Sequence, residues 1–337
     1  MSFLDKVRPS RRRLGGLGLL IAVFVGVLGT APTGGGIDRV LTPGFATRSL
    51  EMATPIALAA VGGLYAEKSG VFNIGLEGFM IVGAFTAAAT MFALGGTSPT
   101  QEHIWVAIVV SVLVTAVLTA LFAVLLIRFK ADQIVAGLAV WFVGLGFAPF
   151  TAALVWGSRS SPGLASVNAV VFGQSPLVFL AALLVAAGWM VLYRTRYGYW
   201  VQAAGENPEA LDTAGVDVNR VRYATVIFSG AMAGLGGAVL LAHAGNFVGT
   251  GQTMVDGRGW IAIVAYLFGN YNPIGAAAAA LLFGALDMLN VQFQTVGIEV
   301  PARLVNLLPY AVVLVVLTAW GKTRVPSVVG EPYETEE

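Results

Sequence analysis

Residues 66–80 read AEKSGVFNIGLEGFM and interrupt two long apolar runs. Glu67, Lys68, Asn73 and Glu77 stand here among Gly70, Gly75 and Gly78. What such an interruption means depends on the solvent around its neighbours. The chain has 337 residues, 57% of them hydrophobic and 11% charged, with a mean hydropathy of +0.81. A soluble domain carries roughly 25% charge, and one this poor in charge lacks the polar groups to cover its surface. The bilayer is the natural solvent, and the expected fold is all-α and polytopic. A net charge of +1 removes any bulk electrostatic argument for nucleic acid. With no cysteine, disulfides and thiolate metal sites are excluded. His103 and His243 show no metal-ligand spacing.

A helix needs about 20 apolar residues to cross about 30 Å of hydrocarbon. Working outward on that basis gives about ten spans, near 14–30, 46–65, 72–95, 104–127, 134–156, 176–193, 223–243, 259–270, 273–292 and 303–320. The first follows a basic flank and has the order of a signal peptide, but the many similar runs behind it favour a first span. The eighth is short and ends at GNYNP, where Asn270, Asn272 and Pro273 stop one helix and start the next. Broken or re-entrant segments are therefore expected. With the N-terminus in the cytoplasm, only Arg39, Arg48, Arg159, Arg258 and Arg303 of the 19 Lys and Arg fall in outer segments. That bias sets the orientation in the cell membrane and puts both termini inside. The organisation expected is a basic N-terminus (1–13), a transmembrane domain (14–320) and a cytoplasmic tail (321–337).

The longest inner connection is 194–222, RTRYGYWVQAAGENPEALDTAGVDVNRVR. Asn207 is a good N-cap and Pro208 suits the first helical position. Glu209 and Asp212 favour the positive end of the helix dipole, and Gly215 ends the run as a left-handed residue would. A helix of about seven residues does not persist in water alone, so it must dock on something, whether the membrane surface or a partner.

The phrase EALDTAG, 209–215, resembles the EAAxxxG loop of permease subunits in bacterial ATP-binding-cassette importers. Glu209, Ala210 and Gly215 match; Leu211 replaces the second alanine, and the Leu-Pro that often closes the motif is absent. Residues 53–85, ATPIALAAVGGLYAEKSGVFNIGLEGFMIVGAF, and 257–287, GRGWIAIVAYLFGNYNPIGAAAAALLFGALD, are similar to the branch serving ribose, branched-chain amino acids and nucleosides. The ERxGxxNIGLEG style of the first most resembles the shorter permease of nucleoside importers fed by basic-membrane-protein-type lipoproteins. The resemblance implies a short cytoplasmic helix at Asn207, Pro208, Glu209, Ala210, Asp212 and Gly215 that couples to an ATP-binding subunit. It also implies a second permease, commonly a different chain, and an extracytoplasmic substrate-binding lipoprotein.

No ATP site is visible. The only GKT, Gly321-Lys322-Thr323, has Val316 where Walker A needs glycine, and neither GxSxG nor HExxH occurs. No cofactor is expected in this chain; ATP and Mg belong to the partner ATPase. Asn73, Glu77, Asp287 and Asn290 are candidates to line or gate a solute pathway, because intramembrane polar groups face a cavity or another polar group. A helix starting near Asn73 would put Asn73 and Glu77 on one face. The other reading is that Glu77 pairs with Lys68 or a nearby Arg and pins a helix end. Asn246, Gln252 and Asp256 sit in a Gly-rich outer loop, to receive a binding protein or close an outer gate, or simply to connect. His243 reads as a packed histidine, Trp141, Phe142, Phe147 and Phe150 as lipid-facing or core residues, and the small run 230–238 as close helix packing. The rival to a permease is an ion-coupled secondary transporter, which also uses broken helices; a membrane enzyme lacks a catalytic constellation.

Overall fold

The computed structural model describes residues 43–251, 253–296 and 324–333. Among them lie ten α-helices: α1 Pro43–Lys68, α2 Leu76–Gly95, α3 Gln101–Ala123, α4 Gln133–Trp156, α5 Pro176–Arg194, α6 Arg196–Glu206, α7 Pro208–Thr213, α8 Val218–Ala244, α9 Arg258–Phe268 and α10 Pro273–Val296. A π-helical turn, Val124–Arg128, extends α3. Two isolated β-bridges and no strand occur among the described residues. Seven helices are long and apolar enough to cross a membrane, and α9 is a shorter apolar helix of 11 residues. Eight of the ten expected spans thus meet a helix. The other two, 14–30 and 303–320, lie outside the described residues.

The bundle has an inside and an outside. About 83% of the apolar window of α1 and 78% of that of α8 are buried, against 17% for α4 and 22% for α5. Hydrocarbon gives no hydrophobic drive between helices, so small residues and interhelical hydrogen bonds select the neighbours. Gly83 of α2 lies against Gly234 of α8, and a Cβ at Gly237 would overlap the Met80 carbonyl. Ser111 of α3 donates to the carbonyls of Gly83 at 2.8 Å and Gly234 at 3.3 Å. The run 230–238 is therefore a packing face, as its composition suggests. Leu113, Val117 and Leu121 of α3 and Phe142, Phe147 and Phe150 of α4 stay exposed on the flank.

Lys68, Arg194 and Arg222 gather at one end of the bundle, where Arg222 reaches Ser69 and Lys68 stands 6.0 Å from the Tyr271 ring centre. The α9–α10 turn is at this basic end. Asn270 and Tyr271 take φ of +51° and +56°, and Asn272 Oδ1 accepts from Ile274 N–H at 2.9 Å. At GNYNP one helix ends at Phe268 and the next begins at Pro273.

Candidate functional site

The interruption at 66–80 is a change of direction held by side chains. α1 stops at Lys68, Gly70 turns the chain at φ +93°, and the chain is irregular until α2 begins at Leu76. Asn73 is therefore not on the helix of Glu77, contrary to the spacing argument. Its Oδ1 instead accepts from Gly75 N–H at 3.0 Å, closing an Asx turn. Its Nδ2 donates to Ser229 Oγ of α8 at 2.9 Å. One residue earlier, Phe72 N–H donates to Gln133 Oε1 of α4 at 2.6 Å. The local competition between an Asn side chain and the backbone delays the helix by one turn.

Glu77 is 1% exposed, and Lys68 is not its partner. One carboxylate oxygen accepts from Gly257 N–H at 2.9 Å, the other from Gly259 N–H at 2.6 Å. These amides open α9, so the anion meets unsatisfied N–H groups and the positive end of a helix dipole. Gly257 adopts φ +83°, and a Cβ at Gly259 would overlap Glu77. The Gly-x-Gly spacing is what lets the carboxylate sit on the helix end. Between the two glycines, Arg258 Nη2 meets Asp287 Oδ2 of α10 at 3.1 Å, the side chains 16% and 23% exposed. Arg258, counted with an outer segment in the sequence, is a part-buried cation paired with α10. Asn290 lies nearly one turn beyond Asp287, half-buried. The structure thus joins Glu77 and Asp287 through residues 257–259 and leaves Asn73 on a separate hydrogen bond to α8.

Glu67 is buried and accepts from the Tyr271 hydroxyl at 2.7 Å. His243 shares a 2.7 Å hydrogen bond with Ser175 and is a packed histidine. Trp141 meets Trp260 edge-on at 5.4 Å. The Gly-rich loop is docked at both ends: Ser161 N–H donates to the Phe247 carbonyl at 2.9 Å, and Gly257 reaches Glu77.

In the connection 194–222, Asn207 Oδ1 accepts from Ala210 N–H at 3.0 Å, Pro208 is the first helical residue and Gly215 takes φ +80°. The cap, start and stop are where the sequence puts them, and α7 has six residues. Glu209 and Ala210 are exposed. Leu211 is buried against Ala204 and Val218, so the packing that so short a helix needs comes from its own neighbours. Asp212 accepts from the Tyr333 hydroxyl at 2.9 Å, and a cleft of about 820 Å³ separates α7 from residues 328–333. Sequence reasoning missed α6 entirely. Its signal was a short amphipathic pattern, with Gly198, Val201, Ala204 and Gly205 buried, hidden by two glycines that lower helix propensity.

The family model of the permease component of the branched-chain amino acid transport system matches residues 45–317. The chain belongs to this permease family. Among curated relatives, the permease is 33% identical over 311 residues to the guanosine ABC transporter permease protein NupQ of Bacillus subtilis, covering 85% of this chain and 94% of NupQ. It is 32% identical over 300 residues to the nucleoside ABC transporter permease protein NupC of Lactococcus lactis, covering 83% and 93%. It is 33% identical over 273 residues to the putative glucose ABC transporter permease protein TsgC13 of Haloferax volcanii, covering 76% and 79%. No solved structure matches the permease. The family model takes in Glu77, the α9 N-terminus, Asp287 and α7, so the sites described above belong to the permease fold and not to an appendage.

Proposed function

We propose that this permease is the membrane subunit of an ATP-binding-cassette importer that moves nucleosides into the cytoplasm. The observation that carries the reading is likeness at about a third identity, over nearly their whole length, to two relatives named for guanosine and nucleosides. ATP and Mg are used by a separate ATPase subunit, solute arrives from an extracytoplasmic lipoprotein, and a second permease chain completes the pathway. The basic end of the bundle faces the cytoplasm, as expected for Lys and Arg flanks, and both termini lie on that side. α7 then presents Glu209 and Ala210 to the ATPase.

On this orientation the break at 66–80 enters the membrane. Gly78 packs on Val140, seven residues into α4 from Gln133. At 1.5 Å per residue that is roughly 10 Å of depth, within about 30 Å of hydrocarbon. α9 starts beside Glu77 and runs back to the basic end, a half-helix whose N-terminus sits inside the bilayer. Irregular backbone at that depth is tolerated where protein buries it or a cavity needs it. A Glu there costs about 2.5–3.5 kcal/mol on insertion scales, and two charge-assisted hydrogen bonds offset it. Glu77 is then the latch of α9, Arg258–Asp287 ties α9 to α10, and Asn73 ties the break to α8. A gate made this way shifts only if ATP binding favours one arrangement over the other.

Ion coupling is the competing mechanism. Glu77 and Asp287 already have protein partners, which argues against either as a vacant sodium or proton site. Reconstitution decides between them. The complete complex in proteoliposomes should take up guanosine only with ATP inside reach of the ATPase. Uptake driven by a sodium or proton gradient without the ATPase would refute the importer.

A further inference from the structure

The last described residues return to the bundle. Arg324 N–H donates to Asn270 Oδ1 at 3.0 Å in the α9–α10 turn. Val328 N–H donates to the Gly205 carbonyl at 3.1 Å and Gly330 N–H to the Gly70 carbonyl at 3.0 Å. Ser327 Oγ bonds Glu206 at 2.9 Å, and Tyr333 reaches Asp212 of α7. The segment therefore runs from one interhelical turn, over the C-terminal end of α6, past the break and onto α7.

Beneath it lies one cation. Arg222 is 3% exposed and spends its fork on carbonyls from three places. Nε donates to Ser69 at 3.1 Å, Nη1 to Glu331 at 2.9 Å and Nη2 to Ala204 at 3.4 Å. The planar guanidinium can hold three acceptors in fixed directions, which an ammonium on a flexible stem does not do. Gly70 makes room for it: a Cβ there would come within 2.7 Å of Nη2. Break, α6 and C-terminal segment thus share one buried hydrogen-bond centre, and α7 joins through Tyr333.

We infer that residues 324–333 form a strap that makes α7 and the 69–75 break one mechanical unit, with Arg222 and Tyr333 as positioning residues for coupling. Displacement of α7 then reaches Gly70 through the strap, and Asn73 and the start of α2 through the short chain that follows. Without the strap, motion at α7 would be taken up by the exposed turn around Gly215. The inference rests on α7 being the helix the ATPase contacts, but the strap is testable apart from that.

Two variants of the assembled complex serve: deletion of residues 325–337, and Tyr333→Phe. Amide hydrogen exchange without nucleotide reads the mechanical link. The deletion should speed exchange about tenfold in both 69–76 and 207–215, leaving the interiors of α1 and α8 unchanged, because several hydrogen bonds are lost at once. Tyr333→Phe should speed only 207–215. Unchanged exchange in both segments overturns the strap. Solute taken up per ATP hydrolysed reads the coupling, and should fall about tenfold in the deletion with ATP hydrolysis maintained; an unchanged ratio overturns the positioning role. If the deletion does not fold, Arg222→Lys replaces it, with the same readouts and the same deciding outcomes. A wild-type complex that hydrolyses ATP and moves no solute sinks the importer reading, while the exchange result still decides the strap.

Discussion

Two buried charges organise this permease, and they are held in opposite ways. Glu77 is an anion met by two amide N–H groups from one helix end. Arg222 is a cation met by three carbonyls from three separate segments. The first arrangement fixes where a single short helix begins. The second fixes how distant segments lie relative to one another. In both, main-chain groups supply these hydrogen-bond partners, so each charge sets the position of main chain. That difference separates a latch, which one element can leave, from a rivet, which three must leave together.

Breaking the latch should cost most. Glu77→Leu strands the Gly257 and Gly259 amides, at about 1–3 kcal/mol for each unsatisfied buried group. A loss of about 2–6 kcal/mol should lower the thermal midpoint in detergent, and Glu77→Gln should lower it by less. Equal midpoints for Leu and wild type would mean that water replaces the carboxylate. Arg222→Met strands the Ser69 and Ala204 carbonyls and should cost less, toward the lower end of about 2–6 kcal/mol, because a carbonyl oxygen tolerates a lost partner better than an N–H does and Glu331 is exposed, so its carbonyl can turn to water. If Arg222→Met proves more damaging than Glu77→Leu, the ranking of latch and rivet is reversed. A double-mutant cycle with Arg258→Met and Asp287→Leu should give a coupling of about 1.5 kcal/mol; strict additivity would show that the pair does not tie α9 to α10. Smallest of all, Asn207→Ala removes the α7 cap and should cost about 1 kcal/mol. Its measurable effect is faster exchange at Ala210, with the midpoint almost unmoved; normal protection at that amide would discount the cap.

How much of this the sequence carried depends on who the partner is. The long helices were legible because hydropathy and length are properties of a segment alone. The α7 cap was legible for the same reason: Asn207, Pro208 and Gly215 interact with backbone only a few residues away. GNYNP also declared its own break. The partner of Glu77 was not legible, because it is main-chain N–H about 180 residues on, and an amide has no residue identity to look for. Lys68 looked the better match by charge. Asn73 was misplaced by the same habit, since spacing alone assumed a helix that its own Asx turn postpones. Arg258 was counted as a loop cation because nothing in its neighbours shows that the loop dips inward to Asp287. The strap was invisible too: Val328 and Gly330 bind through main chain, and its two bonding side chains, Ser327 and Tyr333, carry no charge to point to a partner. Two expected spans and the basic N-terminus fall on residues outside those described.

The central claim is that α7 lies on the cytoplasmic side and meets the ATPase, and the absence of cysteine from the chain makes it directly measurable. A single Glu209→Cys permease, in sealed right-side-out and inside-out vesicles, is treated with a membrane-impermeant thiol reagent and then with a short crosslinker. Labelling confined to inside-out vesicles, with a crosslink to the ATP-binding subunit, is the predicted result. Labelling of right-side-out vesicles, or a crosslink only to the external lipoprotein, would contradict it.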